Sequence, residues 1–429
     1  MTVDVHVHDT PIDANAGRLL GEHTGIVNSL HLMQQSRHEP RATLCTPDTT
    51  DVAYLADADA PLELSLGGKA RDLEGSFMSA LGETVERYCL CFPPALDDLE
   101  MATYEAVAES ERVVDYEHLD IWGDGVYEQR LAEFSRDVEL PWTTGTNLLT
   151  GEPVAVPADL VWADVGSLAA TETRLLGTSN GCAAGPDVPS ALLGSLYELV
   201  ERDAFMRSWG RQEPPTRYDP ASIPGVDDFL DDHVDRATTA HAFAYDSPLD
   251  VPTLGAALVN DRDERPKFLL GGGADVDPVD AVLSSLVECV QGWPYAAELA
   301  VEYDVDDLDP ADPEDNFDAN VLYYTLPEHF DEVATLFERD PEPVPSEGFP
   351  DRSDWSTERA LEFVLDELDD AGFTPIAFDL TTRDVRDVGL AVTRVVVPEL
   401  VPLTLPFALP ENHPAFDGDE LTDRPHPFP

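Results

Sequence analysis

The chain has 429 residues and carries 86 acidic against 25 basic side chains, which gives a formal net charge of -61. Because 43% of the residues are hydrophobic, the chain can bury a core and is not expected to be disordered. The acidity argues against a nucleic-acid partner, which requires a basic face. The most apolar stretch, residues 389–410, is broken by Arg394, Glu399 and four prolines, so no membrane-spanning helix is predicted.

Composition also indicates the compartment. Nearly all of the positive charge is arginine, since Lys69 and Lys267 are the only lysines. With so acidic a chain, this predicts a cytoplasm of very high salt, where ions screen repulsion between like charges. The first residues show no basic stretch before an apolar one, so a signal peptide is not expected. The five cysteines lack CxxC spacing and suit packing in a reducing cytosol: Cys45, Cys89, Cys91, Cys182 and Cys289.

Strand and helix signals alternate along the chain in an α/β or α+β pattern. Apolar periodicity predicts strands over 3–8, 62–66, 268–270, 374–380 and 392–397, a hairpin over 143–156 and a helix over 356–371. A strand, a glycine-rich turn and a helix follow one another three times, with the turns at 67–69, 178–186 and 271–273. The pattern predicts one large domain over 61–429, with 1–60 as part of it or as a small cap, and an acidic linker or insertion near 304–318.

Two local patterns suggest ligands but are not favoured. His6-Val-His8, at the end of the first predicted strand, has the form in which metal-dependent amidohydrolases present two ligands. Such a site needs further histidines at later strand ends, and His23, His31 and His118 have no such context. The triple glycine 271–273 could cradle a phosphate, but it lacks Walker or GxGxxG spacing.

Three segments far apart in the chain share one spacing. Aligned on a glutamate, each has two small residues, a Leu, the Glu, a Val, and a second acid or amide three positions after the Glu. The pairs are Glu83 and Glu86, Glu198 and Glu201, and Glu288 and Gln291. Because residues i and i+3 of a helix share a face, both members of each pair point the same way. Ordinary surface glutamates are the alternative, but chance does not reproduce the whole frame three times.

Convergence of the three predicted helices would bring five carboxylates together. Like-charge repulsion and desolvation make such a cluster unfavourable unless divalent cations lie among the carboxylates. Ligand sets made only of oxygen favour Mg²⁺ over Zn²⁺, and Mg²⁺ bound by a few carboxylates usually also holds phosphates. The spacing therefore predicts a site for Mg²⁺ and a phosphorylated ligand.

The motifs resemble those of the YcaO family. The first match is Gly68-Lys69-Ala70 with the helix from Ser79 to Tyr88, and the third is Glu288-Cys-Val-Gln291. The second match is the most specific, and it runs Ser179-Asn180-Gly181-Cys182-Ala183-Ala184-Gly185 followed by Glu198, Glu201 and Arg202. The resemblance covers the chain from about residue 62 onwards. It implies a YcaO-like fold, with mixed sheets layered with helices, in which the three motif helices converge on one ATP and Mg²⁺ site without a Walker motif.

The resemblance also implies roles for individual residues. Mg²⁺ would be held by Glu83, Glu86, Glu198, Glu201 and Glu288. The nucleotide would be contacted by Lys69, Ser79, Asn180, Arg202 and Gln291. For Lys69 and Arg202 the alternative is a surface ion pair.

The third motif departs from the family pattern. Ser284 stands where some members have Arg, and Trp293 follows Gln291 where many have a nearby Arg. A phosphate contact is therefore expected from elsewhere, for instance from Arg207 or Arg262.

Members of this family activate a backbone amide of a peptide by phosphorylating its oxygen after a Cys, Ser or Thr side chain has attacked the carbonyl. Loss of phosphate leaves a thiazoline or (methyl)oxazoline ring. The resemblance thus implies an ATP- and Mg²⁺-dependent cyclodehydratase of haloarchaeal type, acting on a ribosomally synthesised precursor peptide. Because no E1-like or leader-binding segment is recognisable, a separate partner protein is expected to deliver the peptide, and a homodimer is left open.

The chain ends in Pro425-His426-Pro427-Phe428-Pro429, and such an ending resembles that of the azoline-forming branch of the family. A proline-rich end is usually frayed, but prolines also pre-set an extended conformation at low entropic cost. We therefore expect the tail to insert beside the nucleotide, with Pro429 in a catalytic role. Two alternatives remain open: thioamide formation with a sulfur-donating partner, and a non-catalytic docking scaffold.

Overall fold

The computed structural model describes residues 16–32, 40–41, 43–52, 55, 68–70, 73–94, 99–123, 126–127, 131–163, 174–175, 177–234, 237–262, 264–302, 317–345, 348–404 and 409–428. Four predicted features lie outside these residues: the first strand with His6 and His8, the strand over 62–66, nearly all of the acidic stretch 304–318, and Pro429.

The described residues form strands and helices throughout, which confirms the predicted fold class. The strands are β1 (Val27–Leu32), β2 (Thr43–Thr49), β3 (Gly68–Ala70), β4 (Glu100–Thr103), β5 (Glu139–Asn147), β6 (Pro153–Pro157), β7 (Cys182–Gly185), β8 (Thr216–Tyr218), β9 (Thr238–Ala244), β10 (Thr253–Asn260), β11 (Phe268–Ala274), β12 (Ile376–Asp379) and β13 (Ala391–Val396). The α-helices are α1 (Leu73–Leu90), α2 (Tyr104–Ser110), α3 (Val188–Arg211), α4 (Val226–His233), α5 (Pro278–Glu302), α6 (Phe317–Tyr324), α7 (Thr357–Ala371) and α8 (Arg383–Asp387).

These strands pair into three sheets with antiparallel ladders. The first has the order β1-β2-β3, and the second has the order β11-β10-β9-β8. The third has the order β4-β5-β12-β13-β7, with β6 paired to β5. The predicted hairpin over 143–156 is confirmed as β5 and β6. Asn147 closes its turn, because its side-chain oxygen accepts hydrogen bonds from the backbone N–H groups of Leu149 and Thr150.

Local sequence explains where two long helices begin and end. Asp187 caps α3, since its carboxylate accepts a hydrogen bond of 2.9 Å from the backbone N–H of Ser190. Ser356 caps α7 in the same way, and Gly372 ends that helix in the left-handed conformation with φ +76°. The predicted helix over 356–371 is confirmed.

The prediction of glycine-rich turns is correct only in part, because residues 179–181 form a bend and a turn but the described glycines of the first and third segments lie in strands. Gly68–Ala70 is β3, residues 182–185 form β7, and the triple glycine 271–273 lies inside β11. Each of these strands still leads into one of the motif helices α1, α3 and α5. The period of a strand explains the triple glycine, because alternate residues face opposite sides of the sheet.

Both faces of β11 require glycine. A methyl group built on Gly271 or Gly273 would overlap backbone atoms of α5, whereas one built on Gly272 would lie 2.6 Å from Phe428 Cζ and 2.8 Å from Glu201 Cδ. Thus Gly271 and Gly273 let α5 pack closely against the sheet. Gly272 leaves room on the opposite face for groups from α3 and from the proline-rich segment.

The main cores surround these layers. Apolar side chains of α5 pack against the second sheet in one core, and α3 packs with α7 and β13 in another. All five cysteines are buried and free, as expected for packing residues. Of the helices given above, none combines the length and the apolarity that a membrane span needs.

Candidate functional site

Each motif helix packs on a strand that introduces another motif. Helix α1 contacts β7, α3 contacts β11, and α5 contacts β3. This cyclic packing brings the three sequence-distant segments to one place. The convergence predicted from the spacing is therefore present in the fold.

Carboxylates from the first and second motifs form one end of the cluster. Glu86 on α1 lies within electrostatic reach of both Glu83 and Glu198. Arg87 lies 3.7 Å from Glu86 and 4.0 Å from Glu83, measured between the guanidinium nitrogens and the carboxylate oxygens. We call this group, with Glu198, Arg202 and Arg394, the arginine end of the site.

A chain of charged hydrogen bonds organises the second motif. Glu198 accepts hydrogen bonds from the backbone N–H of Gly181 at 2.5 Å and pairs with Arg202 at 2.6 Å. Arg202 also donates to Asn180 Oδ1 at 2.5 Å, and Asn180 donates to the carbonyl of Leu403 at 2.6 Å. Gly181 adopts φ +75°, a left-handed conformation that favours glycine, and its N–H thereby points at the helix.

Carboxylates from the second and third motifs form the other end of the cluster, at β11. The backbone N–H of Gly272 donates to Glu288 Oε2 at 2.8 Å, and the carboxyl carbon of Glu201 lies next to the same glycine. The ring of Phe428 also lies against Gly272. We call this group the β11 end of the site.

The remaining predicted residues are placed as follows. Ser79 lies on α1 one turn before Glu83 and is half-buried, and Gln291 is buried on α5. Lys69 pairs with Leu44 in the first sheet, on a strand that contacts both α1 and α5, and its side chain lies outside the described part. Pro429 also lies outside it.

The structure adds an arginine that the motifs did not indicate. Arg394 on β13 is only 4% exposed, and it donates to the carbonyl of Thr178 at 2.7 Å. It faces Cys182 of β7 in the strand register and lies within electrostatic reach of Glu198 and Glu86. A single arginine in a run of buried valines was the signal in the sequence, because a lone buried cation usually has a specific partner.

The arginines suggested as substitutes for the third-motif Arg lie elsewhere. Arg207 is paired with Asp203 at 2.7 Å, and it also donates to the carbonyl of Glu399. Arg262 follows β10 and has a side chain that is 49% exposed. The additional positive charge of the site is therefore supplied by Arg394, and also by Arg87, which directly follows Glu86.

Burial and neighbouring charges perturb the pKa of Glu86 and that of Arg394. Burial raises the pKa of Glu86 to about 8, against the lowering effect of Arg87 and with further raising by Glu198 and Glu83. Burial also lowers the pKa of the Arg394 guanidinium. Both groups are thus held in surroundings that disfavour their charged forms, which a bound ligand of opposite charge would relieve.

The donor chemistry fits Mg²⁺ and a polyphosphate. Carboxylate oxygens suit Mg²⁺, and arginine and amide donors suit phosphate oxygens. Within the described ranges, no three carboxylate, His or Cys side chains are close enough to share one ion as they stand. The reason is visible in the contacts, because Glu198 is engaged by Arg202 and Gly181, and Glu288 by Gly272. The exact ligand set remains a prediction.

A cavity of about 100 Å³ opens beside the arginine end. Asn180 and Arg394 border it, and the rest of its wall is mainly apolar, with Leu119, Trp122 and Leu403 among the lining residues.

The sequence matches the family described as YcaO cyclodehydratase, ATP- and Mg²⁺-binding, over residues 67–401. Because this match covers most of the chain, the protein belongs to the YcaO family. The predicted family and the predicted cofactors, ATP and Mg²⁺, are confirmed at this level.

Two relatives show sequence similarity. A protein of Rhizobium leguminosarum bv. trifolii, described as an uncharacterized protein in the tfuA 3′ region, is 31% identical over 52% of this chain and 53% of its own length. An uncharacterized protein of Methanothermobacter thermautotrophicus is 28% identical over 61% of this chain and 66% of its own length. The chain thus spans about half of the first relative and just under two thirds of the second.

Three solved structures share the fold. A heterocyclase in complex with substrate and cofactor has a TM-score of 0.72 at 20% identity, covering 96% of this chain and 56% of that one. YcaO from Methanopyrus kandleri, bound with AMPPCP and Mg²⁺, has a TM-score of 0.61 at 19% identity, covering 93% and 91%. The E. coli microcin synthetase McbBCD complex with pro-MccB17 bound has a TM-score of 0.64 at 14% identity, covering 93% and 96%. These likenesses confirm the YcaO-like fold.

Proposed function

We propose that this protein is an ATP- and Mg²⁺-dependent peptide cyclodehydratase that converts Cys, Ser or Thr residues of a ribosomally synthesised peptide into azoline rings. The observation that carries the proposal is the meeting of three motif helices, whose carboxylates lie beside buried or half-buried arginines and beside the proline-rich segment. Carboxylates alone would suit many metal sites. Arginines next to them favour a ligand that carries both Mg²⁺ and phosphates.

The site residues have two proposed roles, which follow from the chemistry of their side chains. In this proposal Glu83, Glu86, Glu198, Glu201 and Glu288 hold Mg²⁺. Lys69, Ser79, Asn180, Arg202, Gln291 and Arg394 contact the nucleotide. Bound MgATP supplies the phosphoryl group that turns the amide oxygen into a leaving group.

The protein residues orient the groups and exclude water. The hydrogen-bonded series from Glu198 through Arg202 to Asn180 holds the guanidinium of Arg202 in one direction, as a phosphate contact requires. Phe428 and Gly272 cover the β11 end with apolar atoms. A dry site strengthens the electrostatic stabilisation of developing charge.

In the proposed reaction, the side-chain sulfur or oxygen of the substrate loses its proton and bonds to the preceding carbonyl carbon, and the C=O bond becomes a single bond to an anionic oxygen. The former carbonyl oxygen receives the γ-phosphoryl group, and phosphate then leaves as the C=N bond of the ring forms and the nitrogen loses its proton. The balance is one ATP converted to ADP and phosphate for each water removed from the peptide.

Delivery of the peptide is proposed to need a partner protein with a leader-binding segment. Support comes from the fold neighbour that is a multi-protein complex, McbBCD, with pro-MccB17 bound. A homodimer is a second proposed assembly.

The experiment that tests the function combines product mass with nucleotide consumption. The purified protein in molar salt is incubated with MgATP and a synthetic peptide rich in Gly and Cys, with and without a co-expressed partner. Loss of water from the peptide, matched by ADP release, is expected. In a parallel assay supplied with sulfide, replacement of oxygen by sulfur would instead indicate thioamide formation. Binding of peptide without ADP release would indicate a docking scaffold.

A further inference from the structure

The proline-rich segment, residues 424–428, has five backbone carbonyl groups but only three backbone N–H groups. Pro425 and Pro427 have no N–H, so the segment cannot be held by a sheet ladder in the usual way. Its fixed φ angles make it stiff and extended, which leaves its carbonyls at regular positions. Side chains that donate hydrogen bonds to those carbonyls can therefore hold the segment in register.

Three side chains donate to three successive carbonyls of the segment. Trp209 Nε1 donates to the carbonyl of Arg424 at 3.2 Å, and Tyr324 Oη donates to that of Pro425 at 2.5 Å. Asn320 Nδ2 donates to the carbonyl of His426 at 2.9 Å. Asn320 and Tyr324 lie one turn apart on α6, which places them on one helix face.

The donors support one another and are shielded from water. The rings of Trp209 and Tyr324 meet edge to face at 6.4 Å, and Trp209, Asn320 and Tyr324 are each no more than 2% exposed. Hydrogen bonds in such surroundings are costly to break, because a buried group left without a partner loses its hydration as well.

The held segment ends at the candidate site. His426 is fully buried and lies near Arg202, with its Nε2 at 2.9 Å from the carbonyl of Thr404. The ring of Phe428 packs on Phe205 at 4.8 Å and also lies against Gly272. A shift of the segment by one residue would move Phe428 away from the β11 end.

We infer that Trp209, Asn320 and Tyr324 are positioning residues that clamp the proline-rich segment by its carbonyls and so set its register beside the reacting amide. This inference rests on the proposed function for its catalytic part. The clamp itself rests only on the contacts described above. None of the three residues belongs to the motifs that define the site.

The first arm of the test measures seating of the segment without catalysis. 4-Fluorophenylalanine is placed at position 428, and its ¹⁹F NMR signal is recorded for the full chain in molar salt. Tyr324→Phe and Asn320→Leu remove one donor each and keep most of the packing volume, so the signal is expected to shift or broaden in both. Tyr323→Phe is the matched control, because that neighbouring hydroxyl donates to Glu332 at 2.7 Å and not to the segment.

The second arm measures turnover with MgATP and the Gly- and Cys-rich peptide. Loss of one hydrogen bond is expected to lower kcat about 5-fold in each variant, with the Kd for MgATP within about twofold of the parent. In a chain whose residues 425–429 are replaced by Gly and Ser, Tyr324→Phe is expected to cause no further loss. A residue that only stabilises the fold would give the same loss in both backgrounds.

An unchanged fluorine signal in both variants would overturn the clamp. A shifted fluorine signal with unchanged kcat would overturn the positioning role. The same role would be overturned if Tyr324→Phe lowered kcat equally in the parent chain and in the chain with the Gly-Ser replacement. If the parent protein forms no ring and consumes no ATP with the peptide, even in the presence of the co-expressed partner, the proposed function fails. The fluorine signal then decides about the clamp by itself.

Discussion

The arginine end and the β11 end of the site are one helical turn apart on α3, yet they are built from different groups. At the arginine end, Glu86 and Glu198 lie among three buried or half-buried arginines. At the β11 end, Glu201 and Glu288 lie at the backbone of Gly272 under the ring of Phe428. At the arginine end, arginine side chains thus compensate the negative charge of the carboxylates. At the β11 end, the carboxylates lie close to the backbone of Gly272 and are covered by an apolar ring.

Under the proposed function, this difference corresponds to two requirements of phosphoryl transfer. Guanidinium groups stabilise phosphate charge, which suits the arginine end to the nucleotide. Apolar cover excludes water, which suits the β11 end to the group that receives the phosphoryl. The two ends should therefore respond differently to substitution.

The largest expected effect is the loss of the whole fold at low salt, which sets the conditions for every other comparison. With a net charge of -61, repulsion grows as the screening length rises from about 3 Å at 1 M to about 10 Å at 0.1 M salt. Circular dichroism should show unfolding on dilution from molar salt. A cooperative native signal in dilute buffer would exclude a requirement for high salt.

Removal of one carboxylate from each end tests whether both ends belong to one site. Glu198→Gln and Glu201→Gln should each lower ATP turnover more than about 100-fold, because a lost metal ligand costs at least as much as a lost supporting group. The exposed Glu362 on α7 supplies the control variant Glu362→Gln. Unchanged MgATP affinity by calorimetry in both site variants, with the fold retained, would show that the site is assigned wrongly.

A substitution of Gly272 perturbs the β11 end alone. Because a methyl group there would lie 2.6 Å from Phe428 Cζ and 2.8 Å from Glu201 Cδ, Gly272→Ala should displace both. Overpacking of this kind costs about 1–3 kcal/mol, so we expect a lower melting temperature and about tenfold slower turnover. Gly17→Ala, with open space around it, is the control. Equal melting temperatures and equal turnover rates of the two variants would argue against close packing at Gly272.

Replacement of Arg394 perturbs the arginine end. Arg394→Gln should weaken MgATP binding about 10–100-fold, since a hydrogen bond to a charged group contributes about 1.5–3 kcal/mol. Arg262→Gln, at a half-exposed position outside the site, should leave the affinity unchanged. Calorimetry compares the affinity for MgATP with that for adenosine, which has no phosphate. A loss of affinity for MgATP alone would identify a loss of phosphate recognition. An equal loss for both ligands would assign Arg394 a structural role instead.

A graded effect is expected in the pH dependence of Mg²⁺ binding at the arginine end. The pKa of Glu86 is raised by burial to about 8, so below that pH the side chain carries a proton that a metal must displace. Mg²⁺ affinity, measured with a non-hydrolysable ATP analogue, should therefore fall about tenfold per unit as pH drops below 8. Glu86→Gln should flatten the profile. A flat profile in the parent would remove Glu86 from the ligand set.

The positions of the motif helices along the chain were largely predictable from local sequence. The repeated frame identified α1, α3 and α5, and hydrophobic periodicity identified α7 and the hairpin of β5 and β6. The glycines of β3 and β11 were misassigned as turns, whereas residues 179–181 of the second segment do form a bend and a turn. A triple glycine in isolation has a turn-like composition, and only its packing against α5 and Phe428 shows why β11 needs three glycines in a row.

By itself, the sequence determined the acidic surface, the family, and the pairing of carboxylates at i and i+3, since each depends on composition or on residues a few positions apart. The tertiary structure alone decided which buried arginine lies near the motif carboxylates and which side chains donate to the proline-rich segment. Arg394 comes 192 positions after Arg202 in the sequence, and Tyr324 bonds a carbonyl 101 positions away. Contacts over such separations are set by how the sheets and helices pack, and that packing leaves no local pattern in the chain.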